Sequence, residues 1–213
     1  MQIVLQQVIP AYFEESSVSG SEIWGKQITF NEGEHVHIIA PSGSGKTSLV
    51  HFIYGMRKDY GGNLLYSEKN ISQFTIEDFS GYRQNTISIV FQDLRLFSDQ
   101  TVRVNLELKR QLNPFHDAAK IEEMASRLGI GNKLDRIAKT CSYGEQQRIA
   151  IIRSLLQPFK FLLLDEPFSH LDDNNRAKAM ALITEECRAR SAAMIFADLK
   201  QLDFLDNARI LQL

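Results

Sequence analysis

Apolar and polar positions change their period along the chain, and each change marks an element. At the start Ile3, Leu5 and Gln7 alternate with Val4, Gln6 and Val8, and a second extended segment runs from His35 to Ala40. Residues 1–40 therefore read as strands, with a Ser-rich turn from Glu14 to Gly20 between them. Leu49, Phe52, Ile53 and Met56 then recur at i, i+3, i+4 and i+7, which predicts a helix with one apolar face. Gly61-Gly62 marks a turn, and residues 64–92 read as mostly extended, ending in the apolar run Ile87-Ser88-Ile89-Val90-Phe91.

Residues 95–140 are richer in helix formers. Ala118, Ile121, Ala125 and Leu128 fall at helical spacing, and Gly129 and Gly131 can stop that helix. A strong helix follows from Glu145 to Leu156, ended by Pro158, and Phe161-Leu162-Leu163-Leu164 is a short buried strand. A helix from Asn174 to Arg190, a strand from Ala193 to Ala197 and a last strand from Arg209 to Leu213 complete the order. The pattern predicts an α/β body with a mostly helical lobe set into it.

The chain has 213 residues, 44% of them apolar, which suits one large domain or one with an inserted lobe. At this size roughly 70% of the unfolded surface can be buried, so no disulfide staple is needed. Lys plus Arg number 24 against 26 Asp plus Glu, which gives no support to a protein that coats nucleic acid. Cys141 and Cys187 stand far apart with no CxxC partner, so neither a zinc ribbon nor a disulfide framework is indicated, and a reducing compartment is the simpler reading. The apolar stretch Met1 to Pro10 lacks a positive start, since the first basic residue is Lys26, and does not read as a signal peptide. No window reaches the about 18 apolar residues of a membrane span. A soluble protein is expected, acting at a membrane only through a partner.

Ala40-Pro41-Ser42-Gly43-Ser44-Gly45-Lys46-Thr47 fits G-x-x-x-x-G-K-[ST], with Ala40 in place of the first glycine. Gly43 and Gly45 let the backbone curl so that N–H groups point inward at a phosphate. Lys46 adds a point charge toward the β and γ oxygens, and the Thr47 hydroxyl is placed for Mg²⁺. The helix from Ser48 turns its positive end to the same phosphates. The apolar strand ending in Asp165-Glu166 supplies the expected acids, Asp165 for Mg²⁺ through water and Glu166 to polarise the attacking water.

Three further motifs, in order, make the sequence resemble the nucleotide-binding domain of ABC ATPases over nearly its whole length. Val90-Phe91-Gln92-Asp93 is similar to the Q-loop. Cys141-Ser142-Tyr143-Gly144-Glu145-Gln146-Gln147-Arg148 is similar to the signature L-S-G-G-Q/E-x-Q-R, with Asp165 following 23 positions after Ser142. Ser169-His170-Leu171-Asp172 matches the D-loop. The run from Phe91 to Phe97 with Thr101-Val102 and Asn105 is similar to the lipoprotein-releasing and cell-division branches.

The resemblance implies a P-loop NTPase fold: a parallel core sheet flanked by helices, an N-terminal antiparallel β subdomain and an inserted α-helical lobe. It implies one domain over 1–213, with 95–140 as the helical subdomain and 1–94 with 141–213 as the rest. Tyr12 would stack on adenine, and Pro41, Ser42, Gly43, Ser44, Gly45, Lys46, Thr47 and Ser48 would hold the phosphates. Thr47, Gln92 and Asp165 would hold Mg²⁺. Ser142, Tyr143, Gly144 and Glu145 would reach the γ-phosphate of ATP on the other subunit of a head-to-tail dimer, with Asp172 helping to build that interface. The implied function is that of the ATP-binding subunit of an ABC transport or membrane-remodelling system, hydrolysing MgATP to drive a separate transmembrane permease-type protein docked near the Q-loop and helical lobe at the cytoplasmic face. Nucleic acid is not an expected partner; a soluble ATPase of this kind acting on DNA or the ribosome ranks lowest.

Three positions depart from the pattern. Cys141 replaces the signature Leu, Tyr143 replaces its first Gly, and Asp198 stands where the family ends its last core strand with a catalytic His. A carboxylate facing the γ-phosphate would repel it. The alternative function is therefore an ATP-gated interaction module with weak or no hydrolysis. His35 and His37 share one face of a strand with no third metal ligand evident. Trp24 and Phe30 read as packing, Cys187 as core, and Arg103, Lys109 and Arg110 as a solvated face rather than a partner-facing one.

Overall fold

The computed structural model describes residues 1–14, 18–201 and 208–213. An antiparallel sheet is formed by β1 (Gln2–Pro10), β2 (Gln27–Asn31), β4 (Tyr60–Tyr66) and β5 (Lys69–Asn70), in the order β2-β1-β4-β5. A parallel sheet is formed by β3 (His35–Ile39), β6 (Ile87–Val90), β7 (Phe161–Asp165), β8 (Ala193–Asp198) and β9 (Arg209–Gln212), in the order β6-β7-β8-β3-β9. Parallel neighbours need crossover connections, and helices supply them: α1 (Lys46–Ile53), α2 (Ile76–Asn85), α3 (Val102–Leu112), α4 (Ala119–Arg127), α5 (Tyr143–Leu155) and α6 (Asp173–Arg190).

The parallel sheet separates two apolar cores. Leu162 and Leu164 of β7 and Phe196 of β8 pack with Ile149 of α5, Leu182 of α6 and Leu106 of α3. Phe161, Leu163 and Ile195 pack on the opposite face with Phe52, Trp24, Ile3 and Leu5. Alternate residues of one strand thus serve both sides, and all five positions of β7 are buried, which is why its sequence shows an unbroken apolar run. The helices of 95–140 join the first core, and a buried cluster ties them to α6. His116 Nε2 lies 2.9 Å from Glu186 Oε2, and Arg190 Nη1 lies 2.8 Å from the same oxygen.

Three expectations are corrected. Residues 64–92 are not mostly extended, because α2 interrupts them. Its start is set by a capping box in which the Thr75 hydroxyl accepts from Asp78 N and Asp78 accepts from Thr75 N. Phe79 is its only buried residue, so there was no apolar stripe to read. Gly61-Gly62 is not a turn but lies inside β4, opposite a bulge in β1 at Gln7 (φ 54). A Cβ on Gly62 would lie 2.3 Å from Gln7 O, so the glycine permits that approach. The first helix ends at Ile53, leaving Met56 beyond it. The expected Ser-rich turn falls partly on residues 15–17, outside the described residues.

Candidate functional site

The loop from Ala40 to Gly45 joins β3 to α1. Gly43 (φ 85) and Gly45 (φ 88) take the left-handed backbone that side chains resist. A Cβ on Gly45 would also lie 2.9 Å from Phe13 and 3.1 Å from Trp24, so an aromatic wall closes in behind the loop. The Trp24 indole N–H donates to Ser44 O (3.0 Å), and the Ser44 hydroxyl donates to Pro41 O (2.9 Å). Pro41, Ser42 and Gly43 are exposed at the tip. The first turn of α1 carries no acid and no side-chain cap, so its N–H groups suit an anion.

Lys46 is buried, and its Nζ lies 2.6 Å from Glu166 Oε1. The Thr47 hydroxyl donates to Gln92 Oε1 (3.1 Å). Ser48 is buried and its hydroxyl is already committed: it shares a hydrogen bond with Tyr12 OH (2.6 Å) and accepts from Arg57 Nη1 (2.8 Å). It therefore positions Tyr12, which is 53% exposed, with the Arg57 guanidinium 5.3 Å from its ring centroid.

The acids follow the neighbouring strands. Asp165 is fully buried, and neither carboxylate oxygen has a hydrogen-bond partner among the described residues. Burial pushes its pKa up to about 6, Glu166 adds to the rise, and Thr47 and Lys46 pull against it. An unpartnered buried carboxylate beside a threonine hydroxyl and a glutamine amide oxygen is an oxygen donor set that fits a hard cation such as Mg²⁺. Glu166 has a left-handed backbone (φ 46), and its N–H donates to Ala197 O (3.0 Å). Asp198 ends β8, accepts from Leu199 N (2.6 Å), and has its pKa raised by burial first and by Glu166 as well.

The second group of predicted residues gathers at the start of α5. Ser142 caps it, accepting from Glu145 N while its own N–H donates to Glu145 Oε2 (2.8 Å). Glu145 also pairs with Lys133 (3.1 Å). Gly144 is demanded from within the chain, since a Cβ there would lie 2.8 Å from His170 O. Asp172 caps α6, accepting from Asn175 N (2.8 Å).

A family description, ABC transporter, matches residues 25–169. The chain belongs to the ABC transporter family. It is 35% identical over 171 residues to the thiamine import ATP-binding protein ThiQ of Haemophilus influenzae, covering 79% of this chain and 77% of that protein. It is 38% identical over 158 residues to the molybdate/tungstate import ATP-binding protein WtpC of Pyrococcus horikoshii, covering 72% of this chain and 44% of that one. Its fold matches the ATP-binding cassette MJ0796, solved as a dimer in a post-hydrolysis state with ADP and Pi, at a TM-score of 0.80. That likeness covers 93% of this chain and 88% of the other at 23% identity. The chain has the P-loop NTPase fold and is an ABC-type ATPase; these likenesses do not favour the weakly hydrolysing alternative.

Two residues to which sequence reasoning assigned no role of their own touch the candidate site. Trp24 is buried as expected, yet its N–H also holds the P-loop. Gln147, buried on α5, accepts from His170 N (3.0 Å) and donates to Glu166 O and Ser169 Oγ (both 3.2 Å). Its place in the signature stretch Cys141–Arg148 was the available signal. The basic residues of the lobe also divide. Arg103 pairs with Glu122 and Asp135, and Arg110 pairs with Glu107. Lys109 instead lines a cleft of about 380 Å³ with Tyr54, Phe91, Leu108, Leu112 and Arg153. Burial, then Arg153 and Arg83, push its pKa down to about 8.

Proposed function

We propose that this chain is the ATP-hydrolysing subunit of a transport system whose membrane-spanning part is a separate polypeptide, and that it works at the cytoplasmic face as a head-to-tail dimer. The observation that carries the chemistry is the Lys46–Glu166 pair beside the unpartnered Asp165. Lys46 is the cation both for Glu166 and for incoming phosphate oxygens. When ATP engages Lys46, Glu166 loses that partner and its carboxylate becomes available to take a proton from water. Water attacks the γ-phosphorus in line, the bond to the β-bridging oxygen breaks, and ADP and phosphate leave. Thr47, Gln92 and Asp165 would hold Mg²⁺, which would supply neutralisation of the phosphate oxygens. Gly43, Gly45 and the start of α1 hold the phosphates through backbone N–H groups, and Tyr12 offers its exposed ring to the base. Ser142 and the N–H groups at the start of α5 serve the γ-phosphate bound by the second subunit.

No helix among the described residues is long and apolar enough to cross a membrane. The apolar cleft walled by Phe91, Leu108 and Leu112 lies beside Gln92 in sequence and borders the helices of 95–140, which supports it as the seat of the membrane partner. Steady-state MgATP hydrolysis at several protein concentrations tests the reading. The rate per subunit should rise with concentration, and Glu166→Gln should lower turnover at least about 10²-fold while keeping ATP binding. A Glu166→Gln variant that hydrolyses like the parent overturns the assignment.

A further inference from the structure

We propose that Tyr143 is a positioning residue that couples the two nucleotide sites of the dimer through Gln92. The inference rests on the head-to-tail reading above. The Tyr143 hydroxyl donates to Gln92 O (3.3 Å), while Gln92 Oε1 accepts from the Thr47 hydroxyl (3.1 Å). One residue is thus held by its backbone to the start of α5 and by its side chain to the P-loop. Ser142, adjacent to Tyr143, serves the nucleotide on the other subunit. A shift of α5 toward or away from that nucleotide therefore pulls on Gln92 in the chain's own site.

A second path leaves the same side chain. The Tyr143 and His170 rings have centroids 4.2 Å apart. His170 N donates to Gln147 Oε1, and Gln147 Nε2 donates to Glu166 O. Tyr143 thereby touches the routes to both the metal-binding and the base-bearing ends of its own site. A glycine in this place has no side chain to reach either one, so the tie belongs to this chain's departure from the signature. Tyr143 is 44% exposed, so its hydroxyl can be removed without opening a cavity.

The experiment is equilibrium binding of MgATP in the Glu166→Gln background, with sedimentation velocity reporting the dimer independently. Protein concentration is set so that the background variant is dimeric in saturating MgATP. That variant should bind with a Hill coefficient above 1. Adding Tyr143→Phe should keep the dimer and the melting temperature. It should lower the Hill coefficient, which dimerisation still holds above 1, and weaken the second binding step about fivefold, the effect of one hydrogen bond. Tyr143→Gly, which also removes the ring contact with His170, should lower the coefficient further. An unchanged Hill coefficient in Tyr143→Phe overturns the coupling, and if affinity falls alone, Tyr143 contacts the partner's phosphate directly. Failure of the background variant to dimerise overturns the head-to-tail reading itself, which sedimentation distinguishes from loss of coupling alone.

Discussion

Asp165→Asn should stabilise the protein when no nucleotide or metal is bound, and the gain should depend on pH. The folded chain raises this carboxyl from an ordinary 3.8 to about 6, chiefly because burial disfavours its charge. The rise of about two pH units corresponds to about 3 kcal/mol at about 1.4 kcal/mol per unit. The group is fully buried, so solvent screening does not reduce that figure. Between the unfolded and folded pKa values the folded chain holds more protons than the unfolded one. Stability therefore falls as pH rises through this window, and the full loss is present above about pH 6. Asn keeps the shape and polarity of the neutral acid without its titration, so the difference between the proteins isolates the charge. In chelator at pH 7.5 the variant should melt about 6–12 °C above the parent, given about 2–4 °C per kcal/mol for a chain of this size. By pH 5 about half the advantage should remain. Mg²⁺ should raise the parent's melting temperature and leave the variant's in place. Equal melting temperatures at pH 7.5, or a difference that does not move with pH, would refute the reasoning.

Two other substitutions address the loop and the strand beside it. Trp24→Phe removes the indole hydrogen bond to Ser44 O, and equilibrium binding should show about a fivefold loss of MgATP affinity, the worth of about 1 kcal/mol; unchanged affinity would confine Trp24 to packing. Asp198→Asn removes a carboxylate that shares its surroundings with Glu166 and should tighten MgATP binding several-fold at pH 7.5 and about 0.1 M salt. Equal affinity in the two proteins would show that this carboxylate does not face the phosphates.

The parts of the fold and site that were legible in sequence are those fixed by local chemistry. Gly43 and Gly45 announce positive φ; the helix expected from Glu145 begins two residues earlier, at Tyr143, where Ser142 and Glu145 satisfy each other within one turn. The run into Asp165 was legible because a doubly covered strand is apolar throughout. What escaped depends on distant neighbours. Gly62 resembles a turn residue until the bulge at Gln7, more than fifty residues earlier, comes to lie against it. α2 buries only Phe79, so its capping box was the one available sign. Composition shows that Trp24 belongs inside but cannot show that its N–H ends on the P-loop. Gly144 matches the signature, yet its nearest constraint is the His170 carbonyl of its own chain.

The parallel topology explains why Asp198 matters more than its single position suggests. All five strands of the sheet run the same way, so their carboxyl ends share one edge. β7 brings Asp165 and Glu166 to that edge, and β3 brings the phosphate loop. β8 lies between them, with Asp165 opposite Ala197 and Ile39 opposite Asp198. The backbone confirms the junction: Glu166 N donates to Ala197 O, and Ala40 N donates to Asp198 O. Whatever residue ends β8 therefore stands between the acid pair and the loop, and its charge acts on both. A carboxylate there adds a third acid to an edge where Asp165 is already held above its ordinary pKa and Glu166 depends on Lys46. Of the groups in contact at this edge, Lys46 supplies the compensating cation. In the proposed mechanism, the balance of charge across β8 would therefore bear on how readily phosphate oxygens take Lys46 from Glu166.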